Sequence, residues 1–392
     1  MVRRLLFLLV FAASLAQPAR AHEAHQAART GLAVSVAADA TGRLWRAQVW
    51  EGRVWVSRSD DGGRSFGVPV AVNAVPEAIV ADGENRPKLA VVGSRIYVSW
   101  TQALSKPYTG HVRFAHSVDG GRTFAEPITV NDDREVISHR FDSLLVDGRG
   151  RVHLFWLDKR DAAAAQAQGE PYTGAALYHA VSEDGGASFG RNERLAAHSC
   201  ECCRVVSALD ADGIPLVLWR HVFGRNERDH ALLRLDGRTK PVRVSFDRWE
   251  VDACPHHGPA LAVAPDGTRH LAWFNDAPTR HGLFYARMDA DGGMGTPLAF
   301  GDYAQQAAHP ALAVAAGRVW LAWKEFDGRQ ALVRAMHSDD GGRSWSAPRS
   351  VAASSGASDH PLLVSAGHRV YLSWSTQLEG HRVIPLVPDD TP

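Results

Sequence analysis

An excess of either charge is missing from this 392-residue chain: 43 lysines and arginines stand against 43 aspartates and glutamates. Without a basic surplus, nucleic acid is excluded as a general partner, because phosphate binding needs a basic excess or patch. Long apolar runs are also missing after the first twenty residues, so no transmembrane helix is expected. Runs with helical periodicity are few, which argues against a helical bundle. Sulfur is scarce as well, with four cysteines, yet three of them fall within "HSCECCR" (His198 to Arg204) and the fourth heads "CPHHGP" at Cys254.

The N-terminus reads "MVRRLLFLLVFAASLAQPARA": Arg3 and Arg4, an apolar run from Leu5 to Ala16, then small residues around Arg20. This is the pattern of a secretory signal peptide (1–21), with cleavage expected after Ala21. The apolar run is too short to span a bilayer. Residues 22–30 read as a flexible mature N-terminus, and 31–388 as a single folded domain. The expected location is therefore periplasmic or secreted, where disulfides persist.

What the chain has in quantity is glycine, proline and tryptophan (35, 20 and 12), arranged in a repeat. An alternating apolar strand, a glycine-containing turn and a second strand ending in tryptophan recur down the chain. The phrases are "PKLAVVGSRIYVSW", "DSLLVDGRGRVHLFW", "VVSALDADGIPLVLW", "PALAVAPDGTRHLAW", "PALAVAAGRVWLAW" and "PLLVSAGHRVYLSW", ending at Trp100, Trp156, Trp219, Trp273, Trp323 and Trp374. A looser copy, "GLAVSVAADATGRLWRAQVW", precedes them. A second phrase keeps the same period: "SDDGGRSF", "SVDGGRTF", "SEDGGASF" and "SDDGGRSW", with degenerate versions around Asp236 and Asp291.

The second phrase resembles the Asp-box (BNR) repeat of the sialidase-like β-propellers, Ser-x-Asp-x-Gly-x-Thr/Ser-Phe/Trp. Its aspartate and serine would tie a tight turn whose glycines supply positive φ, so the box itself is structural. The resemblance implies an all-β fold, a β-propeller of four-stranded antiparallel blades. Seven blades are counted from the repeats, or six if the first or last copy merges into a shared blade.

In that family the segment leading into each innermost strand opens on the mouth of the central channel. The lead-in segments here read "ENRP", "SHRFD", "CECCR", "CPHHGP", "AHP" and "DHP". Superposing Trp219 on Trp273 lays Cys200 on Cys254, Cys202 on His256 and Cys203 on His257. The expected mouth is a ring of Arg86, His139, Arg140, Cys202, Cys203, Arg204, His256, His257, His309 and His360. Connections between second and third strands add Asp158, Lys159, Arg160, Asp161, Arg220, His221, Asn275, Asp276, Lys324 and Glu325. Such a ring suits an anionic or sugar-like ligand, with Arg86, Arg140, Arg204, Arg160, His309 and His360 as binding residues.

Every complete pairing of the four cysteines needs one bond inside "CECC". The adjacent pair, Cys202 and Cys203, has α-carbons only ~3.8 Å apart, below the usual disulfide window of ~4.4–6.8 Å. The less strained arrangement is one bridge from "CECC" to Cys254, leaving two thiols beside His256 and His257. Two readings follow. The cysteines staple neighbouring blades, or Cys200, Cys202, Cys203, Cys254, His256 and His257 hold copper or zinc, ions that suit thiolate and imidazole. His22, as a mature N-terminus, would add a copper chelate together with His25.

As an enzyme, the resemblance implies an exo-α-sialidase or a related glycoside hydrolase. Three arginines would clamp a carboxylate, a tyrosine paired to a glutamate would attack, and an aspartate would act as acid/base. Arg86, Arg140 and Arg204 are the candidate clamp, Asp158 or Asp161 the acid, and Tyr303 or Tyr172 the nucleophile. The family's Phe/Tyr-Arg-Ile-Pro motif does not precede the first Asp box. "NRP" at Arg86 follows that box, and "RVIP" at Arg382 lies at the other end. No tyrosine–glutamate pair is assignable. The leading expectation is thus a propeller binding a small-molecule or glycan ligand, with a Cys/His-bound metal. A propeller that only docks partners, its cysteines forming staples, is the third reading.

Overall fold

The computed structural model describes residues 32–387. The expected signal peptide with its cleavage after Ala21, the flexible N-terminus with His22 and His25, and the final domain residue 388 lie outside them.

The chain is nearly all β, built from antiparallel sheets whose strands follow one another in sequence. The first sheet runs Ser35–Ala38, Leu44–Trp50, Arg53–Ser59, Val70–Ala71. In the second, Ile79–Val80 and Lys88–Val92 share the partner Arg95–Ala103, followed by Gly110–Ser117 and Ile128–Thr129. The third (His139–Val146 to Glu193–Ser199) and fourth (Val206–Leu209 to Val242–Arg243) fuse into one eight-stranded sheet through the single pair Ser199↔His221. The fifth (Ala260–Val263 to Leu298–Phe300) and sixth (Ala308–Ala315 to Arg349–Ser354) are four-stranded. The last has three strands among the described residues: Leu362–Ala366, Arg369–Thr376 and Gly380–Leu386.

Four strands per sheet was the expectation, and two sheets depart from it. The second gains a strand because the short pair at Ile79–Val80 adds to the far end of Arg95–Ala103, beyond the reach of Lys88–Val92. The first long strands of successive sheets lie side by side, and Leu362–Ala366 touches both Ala308–Ala315 and Ser35–Ala38.

The repeated tryptophans explain why the sheets stack. Trp100, Trp156, Trp219, Trp273, Trp323 and Trp374 are all at most 1% exposed, each filling the gap between a sheet and its neighbour. A buried indole N–H needs an acceptor. Trp100 donates to Glu77, Trp156 to Asp158, Trp273 to Asp247, Trp323 to Glu325 and Trp374 to the Asp359 carbonyl. Only Trp219 lacks one among the described residues.

The Asp boxes tie turns between third and fourth strands. Asp340 Oδ1 accepts from the Ser344 amide and the Ser338 hydroxyl, while Oδ2 accepts from the Ser344 hydroxyl. The box then docks on the preceding sheet: Trp345 meets Tyr285 edge-on at 4.8 Å, as Phe189 meets Phe114 at 5.0 Å. Gly342, at φ 86°, sits so close to Tyr285 that a Cβ would lie 1.9 Å from its hydroxyl.

Removing one inter-sheet indole tests this packing. Trp323→Ala should lower the unfolding free energy by ~3–5 kcal/mol, measured by urea titration. A loss below about 1 kcal/mol would mean the stack does not rest on these side chains.

Candidate functional site

Two centres form where the lead-in segments converge. The first is a cleft of about 540 Å³ bounded by the second, third, fourth and fifth sheets. One wall is the helix Arg160–Gln168, between the second and third strands of the third sheet. Its "DAAAAQA" run has high helix propensity. Asp161 sits in its first turn, where the dipole favours a negative charge. Gly169, left-handed at φ 72°, ends it. The helix went unrecognised in the sequence, although the alanine run carried the signal.

The opposite wall is sulfur. All four cysteines are unbonded thiols, with Cys200, Cys202 and Cys203 buried and Cys254 exposed. Cys200 Sγ lies 3.8 Å from Cys202 Sγ and 3.6 Å from Cys203 Sγ. Covalent partners stand ~2.05 Å apart, so no staple is formed here. Two triads share Cys202: Cys200, Cys202 and Cys203 within, and Cys202, Cys254 and His256 facing the cleft. The candidate ligand atoms of each triad all lie within 4.8 Å of one another. His257, expected beside them, points elsewhere: its ring stacks on Phe274 at 4.1 Å and His309 at 4.8 Å.

Charge gathers around the thiols. Arg228 Nη1 donates to Cys200 Sγ at 3.3 Å. Hydrogen bonds from Cys202 and Cys203 hold the Cys200 thiol well below its usual range, and the bond to Cys200 pushes Cys202 up. Lys159 Nζ meets Glu201 Oε2 at 2.5 Å, joining the helical connection to the sulfur loop. Glu201 Oε1 stands 3.8 Å from Cys254 Sγ. Arg140 lines the cleft, 3.9 Å from Asp82 and over the Phe141 ring at 4.9 Å. Its Nε has no hydrogen-bond partner among the described residues. Phe141 and His256 hold left-handed backbone, φ 61° and 53°, a strained state for such residues that marks an over-determined site.

The second centre surrounds Glu84, beside a central cavity of about 290 Å³. Glu84 Oε2 accepts from the Arg204 and Gly258 amides, and Oε1 from Arg204 Nη1 at 2.6 Å. His360 Nδ1 and His309 Nδ1 stand 3.4 and 3.7 Å from Oε1. The two imidazoles stack face to face at 3.4 Å. Burial alone would raise Glu84, but the Arg204 charge overrides it and holds the carboxyl well below its ordinary range. Burial likewise keeps the imidazoles neutral, lowering His309 and His257 strongly and His360 to about 3.

The three candidate clamp arginines do not converge. Arg86 donates to the Val34 and His360 carbonyls and pairs with Asp359 at 3.1 Å. Arg204 is held by Glu84 and the Pro310 carbonyl; Arg140 alone faces the cleft. Arg160 is fixed by Asp158, Asp132, Asn192 and the Tyr178 ring. Asp158 is fully buried and binds Trp156 and Arg160, while Asp161 accepts from Tyr178 and pairs with Arg194. Tyr303 lines neither cavity and donates to Asp276 at 2.6 Å. Tyr172 packs against His198 with the rings tilted at 36°. His139 is buried, its Nε2 3.8 Å from Asp158. Arg220 donates to the Arg228, His257 and Phe274 carbonyls. Glu84, Glu201 and Arg228 were not assigned from sequence, although "ENRP" carried the acidic residue.

Two tests follow. Arg204→Ala would leave the buried Glu84 carboxylate without its guanidinium partner and should cost ~3–5 kcal/mol; a loss under 1 kcal/mol in urea would refute the pairing. The second is pH. Neutral folded imidazoles bind fewer protons than unfolded ones, so stability should fall as pH drops below ~6.5. A carboxyl depressed like Glu84 adds a further loss below ~4.3. A urea midpoint unchanged between pH 7.5 and 5.5 would contradict the neutral histidines.

No family model and no curated protein matches the chain. Solved structures do. An ulvan lyase, described as a new family of polysaccharide lyase, aligns with TM-score 0.56 and 9% identity over 92% of this chain and 94% of its own. A lectin from Burkholderia pseudomallei aligns with TM-score 0.55 and 10% identity over 91% and 99%. An α-L-arabinanase from Penicillium chrysogenum aligns with TM-score 0.50 and 13% identity over 76% and 89%. At such identities the likeness speaks for fold alone, and the chain shares the overall fold of these structures.

Proposed function

We propose that this chain is an exported, single-domain, seven-bladed propeller that binds a soft metal ion, Cu(I) or Zn²⁺, at the cleft-facing triad Cys202, Cys254 and His256. Cys200 and Cys203 stand behind the shared Cys202. The observation that carries this is the gathering of four thiols and an imidazole from two separate lead-in segments. Ligands around one tetrahedral ion with ~2.3 Å metal–sulfur bonds stand ~3.8 Å apart, and the ligand atoms of Cys202, Cys254 and His256 all lie within 4.8 Å of one another. Thiolate with imidazole selects Cu(I) or Zn²⁺ over hard cations. Arg228 offsets the negative charge that several thiolates would bring into a buried site.

Beside the metal, Arg140, Tyr108 and Phe141 give the cleft a cation and two aromatic faces, while its second cation, Lys159, is paired with Glu201. That composition suits a small anionic or sugar-like ligand, and the polysaccharide lyase and lectin among the similar folds are in keeping with it. The seven-blade reading is supported by seven successive strand groups and by the contact of the last group with the first. Export rests on the N-terminal sequence pattern.

Reduced full-length protein should take up Cu(I) or Zn²⁺, and the ion should shield thiols from a thiol reagent. Cys254→Ser and Cys202→Ser should each weaken uptake by more than ~100-fold, measured by competition with a chromogenic chelator. Reduced wild type that takes up neither ion would overturn the proposal.

A further inference from the structure

The sulfur cleft leaves the Glu84 centre unused, and that centre has the makings of a site. The geometry points to a second metal site, of nitrogen and oxygen ligands, formed by Glu84, His309 and His360 at the wall of the central cavity. It is separate from the thiol site and draws on different sheets: the second, the sixth and the seventh.

Four observations support it. The ligand atoms lie within 4.8 Å of one another. The distances from Oε1 to the two Nδ1 atoms, 3.4 and 3.7 Å, are long for hydrogen bonds. They match the ~3.4 Å edge of a tetrahedron with ~2.1 Å metal bonds. His360 is 7% exposed, yet its Nδ1 makes no hydrogen bond of good geometry among the described residues. A buried nitrogen left so is costly, and His309 Nδ1 is in the same state.

The third observation is the close approach that two glycines permit. Gly83 lies under the His360 ring, where a Cβ would come within 2.3 Å of Nδ1. Gly258 lies under the carboxylate, where a Cβ would come within 2.7 Å of Oε2. The fourth is orientation: Arg204 and the Gly258 amide fix Glu84 through hydrogen bonds that leave Oε1 turned toward both imidazoles. Partners of this kind hold a ligating carboxylate in place. His309 is held there in left-handed backbone, φ 54°.

Two imidazoles and one carboxylate suit Zn²⁺ and leave a fourth position open. Because Arg204 already balances Glu84, the ion brings net positive charge to the cavity wall, where a small anion from solvent completes its shell. An ion there ties three sheets together and stabilises the closed ring by mass action.

Zn²⁺ titration of full-length wild type, followed by imidazole ¹⁵N NMR and by metal content, tests the site. Two equivalents are expected, with two imidazole signals beyond that of His256 moving to metal-bound positions. His309→Gln and His360→Gln should each remove one equivalent and keep the thiol-bound one, while Cys254→Ser should do the reverse. Retention of the second equivalent in both histidine variants, folded by their thermal midpoints, would overturn the inference. If neither variant folds, wild type decides: saturation with only the His256 signal shifted would equally overturn it. Failure of the thiol site alone, with the two further imidazole signals still moving, leaves this inference standing.

Discussion

A carboxylate buried in the middle of a ring has to be answered from several directions at once. Glu84, 3% exposed by its side chain, is answered by a guanidinium and an amide from Arg204 and an amide from Gly258, with two imidazoles from the far sheets standing beside it. Arg86, two residues along, ties the same segment to the Val34 carbonyl and to Asp359. This small polar knot therefore joins sheets that are remote in sequence. A buried ion pair is weak evidence for stability in itself, since desolvation offsets much of its attraction. Its value here is registry: the bonds to Glu84 tie lead-in segments 120 and 174 positions apart to one another.

Against that background, the fourth repeat stands out. Its tryptophan is the one of six whose N–H has no acceptor among the described residues. Its lead-in segment carries three cysteines, packed in one apolar cluster with that indole. Polar partners that serve as glue elsewhere are here replaced by polarizable sulfur. Arg228 donates to this cluster from one side, and the Lys159–Glu201 pair lies on the other.

Much of the architecture was legible because the repeat is a local signal: the tryptophans and Asp boxes recur with their turns, and each box's hydrogen bonds lie within four residues of its aspartate. Grouping the cysteines with His256 was legible for the same reason, since aligned repeats put equivalent residues at one place on adjacent sheets. The fate of the arginines was not. Arg204 meets Glu84 across 120 positions, and Arg86 meets backbone carbonyls 52 and 274 positions away, so no pattern in one sequence marks them as already engaged. The aspartates and Tyr303 follow the same logic: their residue types fit catalysis, but their partners are neighbouring indole, guanidinium and carboxylate groups. The short strand Ile79–Val80 of the second sheet and the helix Arg160–Gln168 fall in connections, where repeat periodicity gives no guidance.

The account turns on whether sulfur and imidazole from two lead-in segments meet on one ion. X-ray absorption at the metal edge of the full-length protein, reduced and loaded with one equivalent of Zn²⁺, addresses this most directly. The account predicts mixed sulfur and nitrogen ligation, with metal–sulfur distances near ~2.3 Å. A shell made only of nitrogen and oxygen would contradict it.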